Sequence, residues 1–195
     1  MSATGRGAQR HTDDFYATPA WVTRAVLPLL DKPKRVLEPC AGTGAIVLAC
    51  RQQWPTATID AVELDADRCA EIIGADHALC RNWFDVPWES RHSLIITNPP
   101  FKLALEFINR SLELADTVAM LLRLNFLGSQ KRAPFWRTHP CGVYVLPRRP
   151  SFTEDNRTDS TEYAWFVWGN GHANRWGILD VDSTPAQVPL FGGAK

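Results

Sequence analysis

The chain of 195 residues lacks net charge, since 21 Lys and Arg balance 21 Asp and Glu. A nucleic-acid partner would therefore have to be met by a local basic patch rather than by the field of the whole molecule. Long hydrophobic runs are also missing. Stretches such as residues 45–50 are far too short to span a bilayer, and the first ten residues hold no apolar segment of the kind that marks secretion. No Cys-x-x-Cys pair occurs. Cys40, Cys50, Cys69, Cys80 and Cys141 are odd in number and widely spaced, which argues against a disulfide framework or a closed zinc site and predicts reduced thiols in a cytoplasmic protein. The five histidines, His11, His77, His92, His139 and His172, are scattered singly, so no metal is expected. What remains is 45% apolar and 22% charged, the balance of an ordinary globule with one core.

Strand-like and helix-like stretches alternate over residues 33–124, the pattern of βα units in a largely parallel sheet. Trp21, Val22, Ala25, Val26 and Leu29 recur at helical spacing, with Thr18 expected as cap and Pro19 at the first position. A short strand over 35–38 runs into Pro39-Cys40-Ala41-Gly42-Thr43-Gly44, and residues 45–53 then read as a helix. Further strands are expected at 58–64, 78–83, 93–97 and 117–124, with helices at 66–73 and beyond Leu103. Residues 142–146 and 163–168 are aromatic and β-branched and suggest an antiparallel pair, joined by a loop long enough to carry function. The organisation expected is a flexible arm over 1–13, one domain over 14–182 and a flexible tail over 183–195.

Ligands of open α/β sheets sit at the carboxyl ends of the strands, where glycine turns let them approach the backbone. Gly42 and Gly44 occupy such a place. Alone they are equally a ligand-free tight turn, because Val47 stands where a dinucleotide fingerprint has its third glycine and no Lys-Ser or Lys-Thr follows. Glu63, about twenty residues on, ends the second strand, where a carboxylate can accept both ribose hydroxyls. Glu38 ends the first, and its charge disfavours phosphate but suits an ammonium or sulfonium group. Together they favour a cationic nucleoside. After the fourth strand stands Asn98-Pro99-Pro100-Phe101. The Asn98 side-chain oxygen and the Pro99 carbonyl can accept both hydrogens of an exocyclic amine, while Phe101 offers a face to a planar base.

These motifs resemble those of class I S-adenosylmethionine-dependent methyltransferases, in the branch that methylates the N6 amine of adenine in DNA, small bacteriophage or prophage enzymes included. The resemblance spans about residues 15–169. It implies a Rossmann-like fold with a mostly parallel seven-stranded sheet, helices on both faces and S-adenosylmethionine as cofactor. By the same resemblance Phe15-Tyr16-Ala17-Thr18-Pro19 contacts the methionine part of the cofactor, through Tyr16, Thr18 and Pro19. Glu38, Cys40, Ala41, Gly42 and Gly44 would form the cofactor loop, and Glu63 and Leu64 the ribose site. Asn98, Pro99, Pro100 and Phe101 would be catalytic, in the order of the γ arrangement. The family usually carries Asp-Phe after the third strand; here Asn82-Trp83 stands as counterpart, with Asp85 as rival. Phe152, within Pro150-Ser151-Phe152-Thr153, is the candidate second aromatic against a flipped base.

The partner implied is duplex DNA with its target adenine flipped out, met by Lys131, Arg132, Arg137, Arg148, Arg149 and Arg157 or by some of them. The chain leaves little room for a recognition domain, so relaxed or short sequence specificity is expected. Gln187-Val188-Pro189-Leu190-Phe191 resembles the peptide that docks on bacterial sliding clamps, through Gln187, Leu190 and Phe191. A monomer without a membrane partner is expected. Alternatives kept open are methylation of RNA, of a protein glutamine or of the N4 amine of cytosine, and a non-catalytic binding module on the same fold.

Overall fold

The computed structural model describes residues 17–152, 160–169 and 171–181. The expected arm, the tail with its clamp-like peptide, Tyr16 and Arg157 lie outside the described residues. Eight strands form one sheet: β1 (Arg35–Glu38), β2 (Thr58–Glu63), β3 (His77–Cys80), β4 (His92–Thr97), β5 (Ala115–Arg123), β6 (Gly142–Val145), β7 (Tyr163–Trp168) and β8 (Trp176–Ile178). Their order is β3-β2-β1-β4-β5-β7-β6-β8. From β3 to β5 all neighbours are parallel, whereas β7 runs antiparallel to both β5 and β6. The expected α/β sheet is thus present with its antiparallel pair, but it has eight strands rather than seven. The additional strand, β8, pairs parallel with β6 and is only three residues long, too short for periodicity to reveal.

The helices α1 (Ala20–Val26), α2 (Ala45–Gln53), α3 (Ala66–Ala70), α4 (Ala104–Leu114) and α5 (Ala133–Thr138) complete the fold. Successive strand residues point to opposite faces and feed two cores. Leu94, Ile96, Ala119 and Leu121 meet Val22 and Val26 of α1 and Ile46, Val47 and Cys50 of α2. Ile95, Val118, Met120 and Leu122 meet Phe107 and Ile108 of α4. In α4, Ala104, Phe107, Ile108 and Ser111 are buried at helical spacing, as the sequence predicts for that stretch. Strand β7 is buried along its whole length because both faces are covered, and Trp165 donates its indole N–H to the Val22 carbonyl at 2.9 Å. No helix of the described residues is long and apolar enough to cross a membrane.

Two expectations are corrected at the edge of the sheet. Cys69 and Cys80 are joined in a disulfide, so the thiols are not all reduced; Cys40, Cys50 and Cys141 are free. The pairing is tertiary: β3 lies beside β2, α3 packs on both, and the two Cα atoms come within 5.7 Å. Spacing along the chain carries no trace of it. Thr18 does not cap the first helix. Pro19 takes the cap position, and no side chain bonds the helix end.

Two of the scattered histidines also prove to be gathered. The Asp60 carboxylate, almost wholly buried in β2, meets Arg35 Nε at 2.8 Å, His77 Nδ1 at 2.8 Å and His92 Nε2 at 3.0 Å. Burial pushes its pKa up, but the bonds to His92, His77 and Arg35 outweigh that and hold it at about 2, below the ordinary 3.8. The carboxylate is thus more acidic folded than unfolded. Its contribution is complete above the unfolded pKa and is lost as pH falls through about 2; the shift corresponds to about 2 kcal/mol. Asp60→Asn is therefore expected to destabilise the fold by about that amount at neutral pH, with the difference from wild type shrinking in acid. Urea denaturation at neutral pH and at pH 3 checks this.

Candidate active site

Strand order reverses between β1 and β4: the chain steps outward through β2 and β3, then returns to the other side of β1. At such a point the carboxyl ends of neighbouring strands diverge and leave a crevice. A cavity of about 590 Å³ lies there, large enough for a nucleoside-sized ligand and the group it reacts with.

One wall is the turn from β1 to α2. Gly42 and Gly44 both adopt left-handed backbone, at φ 56° and 87°, which side-chain-bearing residues rarely do. This turns the Gly42 N–H onto Glu63 Oε2 at 2.7 Å, while the Ala41 N–H meets the Val62 carbonyl. Glu63 also accepts from the Asp65 N–H at 3.0 Å and from Arg68 Nε at 3.4 Å. The carboxylate at the end of β2 thereby ties the glycine turn to α3. A Cβ on Gly44 would stand 3.4 Å from Ile72, on a backbone unsuited to it. Gly44→Ala is expected to cost about 1–2 kcal/mol of stability, read as a lower denaturation midpoint, and to distort this wall.

Glu38, at the end of β1, is 2% exposed and accepts the Val47 N–H at 3.0 Å. Burial raises its pKa well above the ordinary value; the Val47 bond opposes this, and the nearby Glu63 charge adds to it. A buried carboxyl under that pressure is satisfied by a cation. The Cys40 thiol, pushed up to about 12 by burial and by Glu63 and Glu38, stays neutral and is no nucleophile.

The opposite wall is Asn98-Pro99-Pro100-Phe101, where β4 ends. Asn98 Nδ2 donates to the Thr18 hydroxyl at 3.1 Å, across 80 residues of sequence. This bond leaves Asn98 Oδ1 buried and, among the described residues, without a hydrogen-bond partner. The two prolines fix the backbone, so the acceptor cannot relax away. Phe101 packs on Tyr163 at a centroid distance of 5.9 Å, and Phe152 meets the same tyrosine ring edge-on at 5.1 Å.

Of the residues selected from sequence, Thr18, Glu38, Cys40, Ala41, Gly42, Glu63, Leu64, Asn98, Pro99, Pro100 and Phe101 line the cavity. Pro19 and Gly44 shape its walls from behind, as helix caps. Phe152 packs on Tyr163, as Phe101 does, and is not among the residues lining the cavity. Asn82 and Trp83 do not line it either. Asn82 caps a 3₁₀ turn by accepting the Phe84 N–H, and Trp83 is 3% exposed, stacked on Phe107 in the core. The exposed rival Asp85 lies outside the cavity as well. Asp65, part of the strand end Val62-Glu63-Leu64-Asp65 whose resemblance implies ribose binding, lines the wall, and sequence reasoning missed Arg68, which joins it because the cap of α3 folds back on Glu63. Acidic strand end, Asx cap and basic residue three positions later are a local signal that could have found it.

No protein-family model matches the chain. A stretch of 86 residues is 33% identical to the ribosomal protein uL3 glutamine methyltransferase of Bradyrhizobium diazoefficiens, covering 37% of this chain and 27% of that protein. Among solved structures, a modification subunit assigned to a type I restriction enzyme of Vibrio vulnificus matches with TM-score 0.63 and 16% identity. That match covers 82% of this chain and 45% of the subunit. A protein of Pyrococcus horikoshii assigned as an RNA methyltransferase matches with TM-score 0.63 and 17% identity, over 80% of this chain and 87% of its own. The chain has the class I methyltransferase fold.

Proposed function

We propose that the protein transfers a methyl group from S-adenosylmethionine to the exocyclic N6 amine of adenine in DNA. The observation that carries this reading is the buried, unpartnered Oδ1 of Asn98, fixed in orientation by Thr18 on the wall of a cavity whose other wall bears Glu38 and Glu63. An orphaned acceptor of this kind costs free energy and is explained by a donor that arrives with a ligand.

The cavity fits the cofactor on the chemistry of its donor set. Beyond the three bonds it already accepts, Glu63 keeps a lone pair on Oε2 for a ribose hydroxyl, and Glu38 is a buried carboxyl that a cationic ligand would return to its charged form. When bound, S-adenosylmethionine supplies an electrophilic methyl carbon on a sulfonium. Asn98 Oδ1 and the Pro99 carbonyl accept the two hydrogens of the target amine and turn its lone pair into the cavity. Phe101 supports the base, which must leave a duplex stack to reach it. The amine becomes cationic as it is methylated and then gives a proton to water, so the chain's contribution is positioning and exclusion of solvent rather than a dedicated base.

The 33% identical stretch favours a second reading, methylation of a protein glutamine amide, because the same acceptors can orient any planar nitrogen bearing two hydrogens. Incubation with S-adenosylmethionine and either unmethylated duplex DNA or glutamine-bearing ribosomal protein, followed by digestion and mass spectrometry, separates the two. N6-methyladenine is the expected product. Methylglutamine alone would replace the first reading by the second.

A further inference from the structure

A second hollow, of about 180 Å³, lies beside the cavity and shares Phe101 with it. It is lined by the apolar side chains of Ala104, Leu122 and Phe126 together with Arg123, Asn125 and Arg132. Neither cation hangs loose. Arg123 lies over the Phe101 ring with Cζ 4.6 Å from the centroid, and its Nε donates to the Tyr163 hydroxyl at 3.3 Å. Arg132 lies over the Phe126 ring at 4.3 Å, with Nε donating to the Phe126 carbonyl at 2.7 Å and Nη2 to the Asn125 carbonyl at 3.4 Å. Among the described residues no carboxylate comes within ion-pair distance of Arg132. Other members of the basic set selected from sequence are engaged differently: Arg149 pairs with Glu162, and Arg148 lies over Trp21.

A guanidinium held by ring and carbonyl contacts beside a partly polar hollow, with no acid against it, is a preorganised seat for an oxyanion. The seat touches the ring on which the target base is to stack. We propose that Arg132 holds a backbone phosphate adjacent to the target nucleotide. This rests on the reading of the site as one that methylates a base in a nucleic acid. A nucleotide carries its phosphates at fixed reach from its base, whereas a glutamine side chain brings no anion in fixed relation to its amide. The contact is made before and during the reaction alike, so Arg132 governs affinity rather than turnover.

The test is fluorescence-anisotropy titration of the full chain with a labelled thymidine strand bearing one central adenine, across a range of salt concentrations. Arg132→Gln is expected to weaken binding about tenfold and to reduce the salt slope by about 0.7, the loss of one phosphate contact on a single strand. Arg132→Lys keeps the charge and the slope. Uncharged methylphosphonates beside the adenine should weaken the wild type to a similar degree yet leave Arg132→Gln unaffected, and the wild-type half of this comparison needs no variant to fold. Lys34→Gln, an exposed position just before β1 at the opposite end of the sheet, should bind like wild type. Binding by Arg132→Gln within twofold of wild type, or a methylphosphonate penalty of full size in that variant, overturns the seat. A matching uridine strand with one adenosine separates the sources: stronger Arg132-dependent binding there keeps the seat and assigns the phosphate to RNA. Mass spectrometry of the same strands separates the two proposals. Arg132-dependent binding without methyladenine keeps the seat and removes the adenine reading, and methyladenine with Arg132-independent binding does the reverse.

Discussion

Asn98→Ala is expected to lower kcat for adenine methylation at least 100-fold while leaving S-adenosylmethionine affinity within a few-fold of wild type. The side chain belongs to the wall that meets the amine, not to the carboxylate wall formed by Glu38 and Glu63. Its Oδ1 is already desolvated and held in place by the Thr18 bond, so it pays no reorganisation when the amine arrives. Removing one such preorganised group from a water-poor site typically costs about 10²–10³ in kcat. Asn98→Asp offers an acceptor at the same place and should retain measurable turnover, which a role in folding alone would not predict. Thr18→Val tests the same geometry at one remove: without the hydroxyl the Asn98 amide is free to turn its NH₂ toward the amine, and turnover at saturating cofactor should fall. Single-turnover kinetics with isothermal titration of the cofactor reads both quantities. Equal loss of cofactor binding and turnover in Asn98→Ala would remove the assigned role.

The parts of this site that were legible in sequence are those built by consecutive residues. A strand that ends in a carboxylate, a turn with two glycines, and an Asn followed by two prolines each declare their local geometry, and the βα alternation says at which sheet end they meet. The parts that were not legible depend on register or on pairs far apart in the chain. Nothing near Thr18 announces that its hydroxyl holds Asn98, and nothing near Cys69 announces Cys80, because both follow from how strands and helices are laid side by side. The place of Asn82-Trp83 beside the cavity rather than in its lining was not legible for the complementary reason. Its position after β3 fits a cofactor contact, but the 3₁₀ turn inserts the large indole beneath α4, where burying it against Phe107 outweighs exposing it to a ligand. The second hollow escaped for want of a motif: Phe101, Leu122 and Arg132 converge only when β5 is followed by the turn into α5.

Glu63→Gln is expected to weaken S-adenosylmethionine binding about 100-fold, more than removal of a single ribose contact would. Glu63 Oε2 accepts the Gly42 N–H and Oε1 accepts the Asp65 N–H, so both oxygens face donors that belong to the protein. Glutamine replaces one oxygen by an NH₂ group. Whichever way it turns, one backbone N–H meets another donor, and either the glycine turn or the cap of α3 must move. Arg68, at 3.4 Å from Oε1, loses this ion pair in the same step and keeps the one with Asp65. The effect on the ligand therefore combines a lost acceptor for a ribose hydroxyl with a displaced wall, each worth about 1.5–3 kcal/mol where the acceptor is charged. Turnover at saturating cofactor should change far less, since the amine-orienting wall stands on β4 and is not tied to Glu63. That split, KM for cofactor rising with kcat retained, is the mirror image of the pattern expected for Asn98→Ala. The pair of variants thus separates the wall that holds the donor from the wall that presents the acceptor, and parallel losses in both would mean that the cavity does not divide its work in this way.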